Sequence, residues 1–312
     1  MKNLLTTSAL ALLALVPAAA WADYPEKPVE FVVPWPPGDL EDILTRMIAD
    51  AFQETYGVPA AVVNKPGGGG GPFPGAVEVA MAPADGYTIG SFVIDVPLVG
   101  PYIGIPPLEG NPFDPIGIFL TYPFVVATTG DAPYKTMEEM AAYARENPVT
   151  LGHFGDVTSP ARHTLAMAKA LDFEFASDAA FDALDCNTLA SGDVDVINTT
   201  LQLIRPCLDD LTILMADTNS RIPILPDVPT AGEIVPELDF STWNGLFVHE
   251  DTPQEVRDAI AKVAQEVIAS DAAKKLSEET GAEVYWLDAT GSEEQMAKDA
   301  KTMETIAGFL GE

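Results

Sequence analysis

Pro34-Trp35-Pro36-Pro37-Gly38-Asp39-Leu40-Glu41-Asp42 follows a short apolar run, Val29–Pro34, and precedes a segment with helical spacing. Proline and glycine make this a stiff turn between a strand and a helix. The unsatisfied N–H groups at the start of such a helix converge on one spot, so the turn reads as a ligand cradle. Beyond it, Leu40–Tyr56 places Ile43, Met47, Ile48, Ala51 and Phe52 at helical intervals, and Gly57 stops the pattern. Ala60–Asn64 is a second strand, Gly75–Ala82 a helix and Tyr87–Val93 a third strand. This βαβαβ opening predicts an α/β domain with a largely parallel sheet.

The remainder continues in kind. Residues 94–117 are rich in proline and glycine and read as loop. Ile118–Thr128 is an apolar strand suited to a first crossing between two domains. Met137–Glu146, Pro160–Leu171 and Phe181–Ala190 read as helices, and Val149–Phe154, Val194–Asn198 and Thr212–Ala216 as strands. Thr242–His249 reads as a strand returning to the first domain. Gln254–Ser270, Ala272–Thr280 and Ser292–Phe309 are helical, with a short strand at Glu283–Leu287.

The N-terminus is a leader in pattern. Lys2 precedes an apolar stretch, Leu4–Val16, and Ala20-Trp21-Ala22 has the small-residue form of a cleavage site. A mature start at Asp23 is expected, with export to a periplasm. No later stretch reaches the ~18 apolar residues of a membrane span, so no membrane insertion is expected. The rest of the chain is long enough for two domains of about 100–200 residues.

The net charge is −31. Such a surface repels nucleic-acid phosphates and anionic membranes, which argues against nucleic-acid binding and suits a solvated surface in high salt. The two cysteines, Cys186 and Cys207, either form a disulfide, permitted in an oxidising compartment, or remain free thiols. A metal site is not expected, because His153, His163 and His249 are far apart and no CxxC is present. Gly67–Gly71 lacks the GK[ST] ending of a phosphate loop and reads as a turn at a cleft rim. No GxSxG or HExxH is present, so an exported enzyme is the lesser reading and no cofactor is expected.

Several blocks, in order, carry a family resemblance. They are Tyr24–Gly38, Val63-Asn64-Lys65-Pro66-Gly67, Ala84–Ile89, Leu189–Asp195, Leu225–Glu233, and Trp243–Phe247 followed by Thr252–Val256. Together they resemble the Bug/TctC-type periplasmic solute-binding proteins of tripartite tricarboxylate transporters. The resemblance implies a two-lobed α/β periplasmic binding protein, type II-like. Each lobe would hold a mostly parallel sheet flanked by helices, and the cleft between them would close around the ligand. Residues 23–122 and 242–312 would form one lobe and 123–241 the other, after a signal peptide at 1–22. The implied role is capture of a small carboxylate-containing molecule by a monomer that docks on membrane permease subunits. A sensor subunit for a receptor kinase would use the same binding chemistry.

The resemblance places ligand contacts on two loops. The first supplies Trp35, Pro37, Gly38, Asp39, Leu40 and Glu41. The second, mapped onto Gly152–Ser159, supplies His153, Gly155, Asp156, Thr158 and Ser159. Asp95, after the third strand, and Thr199, after Val194–Asn198, complete the set. The chain departs from the family's Gly-rich PPGGGTD turn by placing Asp39, Glu41 and Asp42 there. Two readings stand: these acids cap a helix, or they line the cleft. In the second case they would favour a cationic, zwitterionic, amide or metal-bridged ligand.

Overall fold

The computed structural model describes residues 24–67, 71–181 and 183–312. The leader expected over 1–22, the start at Asp23 and most of the Gly67–Gly71 run lie outside them. The chain begins β1 (Val29–Val33), α1 (Leu40–Tyr56), β2 (Ala60–Asn64), α2 (Phe73–Ala80), β3 (Thr88–Val93), α3 (Asp95–Leu98) and β4 (Phe113–Thr121). It continues β5 (Phe124–Thr129), α4 (Met137–Ala144), β6 (Thr150–His153), α5 (Ser159–Ala170), β7 (Ser177–Ala180), α6 (Cys186–Ala190), β8 (Val196–Thr200), α7 (Leu201–Ile204) and β9 (Leu211–Ala216). It ends α8 (Ala231–Ile234), β10 (Trp243–His249), α9 (Gln254–Ile268), α10 (Asp271–Thr280), β11 (Glu283–Leu287) and α11 (Ala289–Leu310).

Two sheets result, ordered β11-β4-β10-β3-β1-β2 and β7-β6-β8-β5-β9. Most strands within each sheet point the same way, as expected, but the ladders are mixed. β1 pairs in parallel with β2 and β3, and β6 with β7 and β8. β10 runs antiparallel between β3 and β4, and β5 antiparallel between β8 and β9. β10 and β5 are reached by crossing from the other sheet, whereas β11, also antiparallel to β4, follows β10 within the first sheet. A chain that leaves one layer and returns enters it from the opposite side.

The single strand expected at Ile118–Thr128 is two strands, β4 and β5. Pro123 has no N–H to give a ladder, so pairing stops there and the chain changes sheets. The clamp is made by backbone instead: Tyr122 N–H donates to Thr242 O at 2.9 Å and Leu201 N–H to Pro123 O at 3.0 Å. The expected loop over 94–117 also contains α3 and the start of β4. The helix expected at Phe181–Ala190 begins only at Cys186, where Asp185 and Thr188 form a capping box.

α1 shows why the fold seats the cradle firmly. Leu40, Leu44, Ile48 and Phe52 lie on one face and are buried, while Ile43, expected on the stripe, is exposed. Each such side chain contributes about 1.5–3 kcal/mol when fully buried. Gly57 ends the helix at φ 71°, its N–H donating to Gln53 O. α11 spans the molecule, packing on β4 of the first sheet and on α5 of the second.

Cys186 and Cys207 are joined by a disulfide, with Cα atoms 5.9 Å apart and a sequence separation of 21. Closing a loop of roughly 20 residues restricts the unfolded chain by about 3 kcal/mol. Replacing both cysteines by serine is therefore expected to lower unfolding stability by about that amount in urea titration. An unchanged midpoint would contradict this.

Candidate functional site

The turn before α1 is held from inside. Asp42 accepts from the Gly38 N–H at 2.9 Å, from Arg46 Nε at 3.0 Å and Nη2 at 2.9 Å, and from Asn64 Nδ2 at 2.8 Å. Burial pushes its carboxyl up, but the donors of Arg46, Asn64 and Gly38 outweigh it and hold the carboxyl below its ordinary value. Gly38 sits at φ 106°, a conformation that favours glycine. Asn64 Nδ2 also donates to Trp35 O at 3.0 Å, which fixes the other side of the turn. Asp42 is thus a structural staple.

Asp39 occupies the N-cap position of α1, yet its side chain makes no cap bond. Its Oδ1 instead accepts from Gln202 Nε2 at 2.9 Å. Gln202 lies on α7, directly after a strand of the second sheet, so this bond crosses the cleft. Burial raises the Asp39 carboxyl and the Gln202 bond partly offsets it. Glu41 does not point to water: it is 2% exposed and accepts from the Tyr122 hydroxyl at 3.0 Å. Burial, reinforced by Asp39, pushes its carboxyl up to about 8. Glu41 is therefore mostly a neutral acid at pH 7.

Asp95 opens α3, just past β3, and is 1% exposed. Its Oδ1 accepts from the Ser159 N–H at 2.7 Å and from the Ser159 hydroxyl. Ser159 is the first residue of α5. The chain's own carboxylate thus takes a donor of the second lobe's helix N-terminus, a position suited to an anion. Burial pushes the Asp95 carboxyl up to about 6, opposed by the Ser159 bonds and by Arg162.

These groups border one small cavity, with about 50 Å³ of room for the centres of water-sized molecules. Of the expected contact residues, Trp35, Asp39, Glu41, Asp95 and Thr158 line it. Pro37 and Gly38 are exposed beside it, and Leu40 is in the core. Asp156 is exposed to solvent. Gly155 donates its N–H to His153 Nδ1 at 3.0 Å, so the ring proton sits on Nε2, which faces Asp178 Oδ1 at 2.9 Å. His153 is thereby turned toward β7. Ser159 is engaged by Asp95. Thr199 donates to Leu184 O at 2.6 Å and faces away from the cavity.

The residue that does line the cavity is Thr200, one position on, because alternate strand residues face opposite sides. The rest of the wall comes from Val93, Tyr122, Phe124, Phe154, Pro160 and Thr242, with Gln202 and Leu203 from α7. Tyr122 and Phe124 flank Pro123 at the crossing, and that pattern could have marked them. Gln202 and Leu203 sit on a single helical turn that carries no periodic signal.

A model of the tripartite tricarboxylate transporter family receptor matches residues 44–308. A relative from Pseudomonas sp. (strain P51), a UPF0065 protein of the tcbD-tcbE intergenic region, is 28% identical over 274 residues, 82% of this chain and 78% of its own. The periplasmic binding protein BugD superposes with a TM-score of 0.78 at 24% identity, covering 92% of this chain and 98% of its own. R. palustris Rpa4515, solved with adipate, gives a TM-score of 0.81 at 23% identity, covering 93% and 99%. The two structures share the two-sheet α/β fold, and the match over residues 44–308 shows that the chain belongs to the tripartite tricarboxylate transporter receptor family.

Proposed function

We propose that the protein captures a small carboxylate-containing organic molecule in the interlobe cavity and hands it to membrane permease subunits, with no chemical step. In this reading the mature protein begins near Asp23, works as a periplasmic monomer and divides into lobes 23–122 with 242–312, and 123–241. The observation that carries it is the cavity wall: Trp35, Asp39 and Glu41 come from the first lobe, and Thr158, Thr200 and Gln202 from the second. A molecule bound there touches both. The adipate in Rpa4515 supports a carboxylate as the ligand class. So does Glu41, whose carboxyl, pushed up to about 8, sets little negative charge against an anion at neutral pH.

The sign of the pH dependence follows. Glu41 has a folded value of about 8 against an ordinary 4.5. Its protonation therefore favours the folded state, fully below the unfolded value and decreasingly as pH rises toward the folded one. Replacing Glu41 by Gln is expected to flatten the fall in melting temperature between pH 5 and pH 8. In a thermal-shift panel of small carboxylates, at least one should stabilise the wild type at pH 7. A ligand at 100 times its Kd adds about 2.7 kcal/mol. That stabilisation should fade above pH 8 in the wild type and persist in Glu41→Gln. No stabilisation by any carboxylate at any pH would contradict the proposal.

A further inference from the structure

The two lobes meet through the chain's own acids. Asp95 opens α3 in the first lobe, and the hydrogen bonds of its carboxyl go to the second. Its Oδ1 accepts from both the N–H and the hydroxyl of Ser159, in the first turn of α5. A carboxylate on a backbone N–H at a helix N-terminus makes a charge-assisted bond at the favourable end of the helix dipole. Both residues are buried, at 1% and 3% exposure. Asp39 repeats the arrangement: it makes no cap bond in its own helix and accepts from Gln202 across the cleft.

The closure made in this way leaves little space inside. The cavity has about 50 Å³ of room, whereas an apolar cavity of about 150 Å³ is one that admits benzene. What faces this room is almost wholly apolar, because the acid oxygens are turned to their donors. Ser159 also lines a larger outer pocket, with about 500 Å³ of room and with Leu98, Ile103, Val157 and Arg162 on its wall. Asp95 borders the inner cavity and Ser159 the outer pocket, so their bond stands between the two. An organic cargo larger than the inner space enters it only when the lobes part, and that parting breaks the bond.

From this geometry we propose that Asp95 is a built-in latch. It occupies the N-terminus of α5 in place of a cargo group, draws the lobes shut on its own, and has to be released before cargo enters. A hydrogen bond to a charged group shifts such an equilibrium by about tenfold to a hundredfold. Only the unlatched fraction takes cargo, so the latch acts as a brake that weakens apparent affinity by the same factor. The latch stands whatever the chemical class of the cargo, while the test of the brake rests on the carboxylate reading.

Two substitutions cut the bond from opposite sides. Asp95→Ala removes the acceptor. Ser159→Pro removes both donors, and proline suits the first position of a helix, where no intrahelical bond is lost. Small-angle X-ray scattering at pH 7 compares both with the wild type, each purified and dialysed free of small molecules. The wild type should scatter as the closed structure does. Each variant that still melts cooperatively should show a larger radius of gyration, fitted by lobes swung apart, and one folded variant suffices. A folded variant as compact as the wild type, or a wild type already open, would overturn the latch. Calorimetric titration with adipate reads the brake: Asp95→Ala should bind it about tenfold tighter than the wild type. Equal or weaker binding by Asp95→Ala would overturn the brake. Adipate bound by neither protein would count against the carboxylate reading, and the scattering would still decide the latch.

Discussion

Two buried carboxyl groups, Glu41 and Asp95, and a partly buried third, Asp39, gathered at one cavity with no cationic side chain on its wall among the described residues, are the constraint on which the rest of the structure depends. Water is the usual partner of such groups, and its removal disfavours their charged forms. Each group meets the penalty differently. Glu41 rises to about 8 and keeps its proton. Asp95 takes two donors from Ser159 and rises to about 6. Asp39 takes the amide of Gln202. Two of these three solutions recruit a donor from the other lobe. These acids therefore form part of the contact between the two lobes.

The scaffold makes that approach possible. Pro123 breaks the crossing segment into β4 and β5, and the backbone clamps at Tyr122 and Leu201 hold the break in place. Tyr122 and Phe124 thereby face the cavity from either side of the break. Asp42, gripped by Arg46 and Asn64, holds the turn that presents Asp39 and Glu41. α11 braces both sheets, so the first turn of α5 meets Asp95 in a fixed position.

Much of this was legible in the residues. The strand–turn–helix at Val29–Tyr56 and the alternation of strands and helices announced the fold, because period and turn chemistry are local properties. Of the acids that depart from the Gly-rich turn, Asp39 and Glu41 line the cavity while Asp42 holds the turn, and Asp95, after the third strand, lines it as well. Other features depend on partners distant in sequence. Thr199 was chosen where Thr200 faces the cavity, since register decides which alternate residue looks inward. Asp39 sits where a cap is expected, but Gln202, 163 residues away, takes its side chain. β7, Ser177–Ala180, is exposed throughout and carries no apolar pattern, so only its pairing with β6 reveals it. The turn around Cys186 is set by the Asp185 cap rather than by hydrophobic spacing.

The account stands most directly on the protonation of these acids. Carboxyl-carbon NMR of protein labelled at Asp and Glu, with Glu41→Gln and Asp95→Asn used for assignment, would follow each group through pH. The account predicts one glutamate titrating near 8 and lost in Glu41→Gln, and one aspartate near 6 and lost in Asp95→Asn. Titration of both groups at ordinary carboxylate values, about 4, would mean that water reaches them freely. It would contradict the burial of these acids on which the account rests.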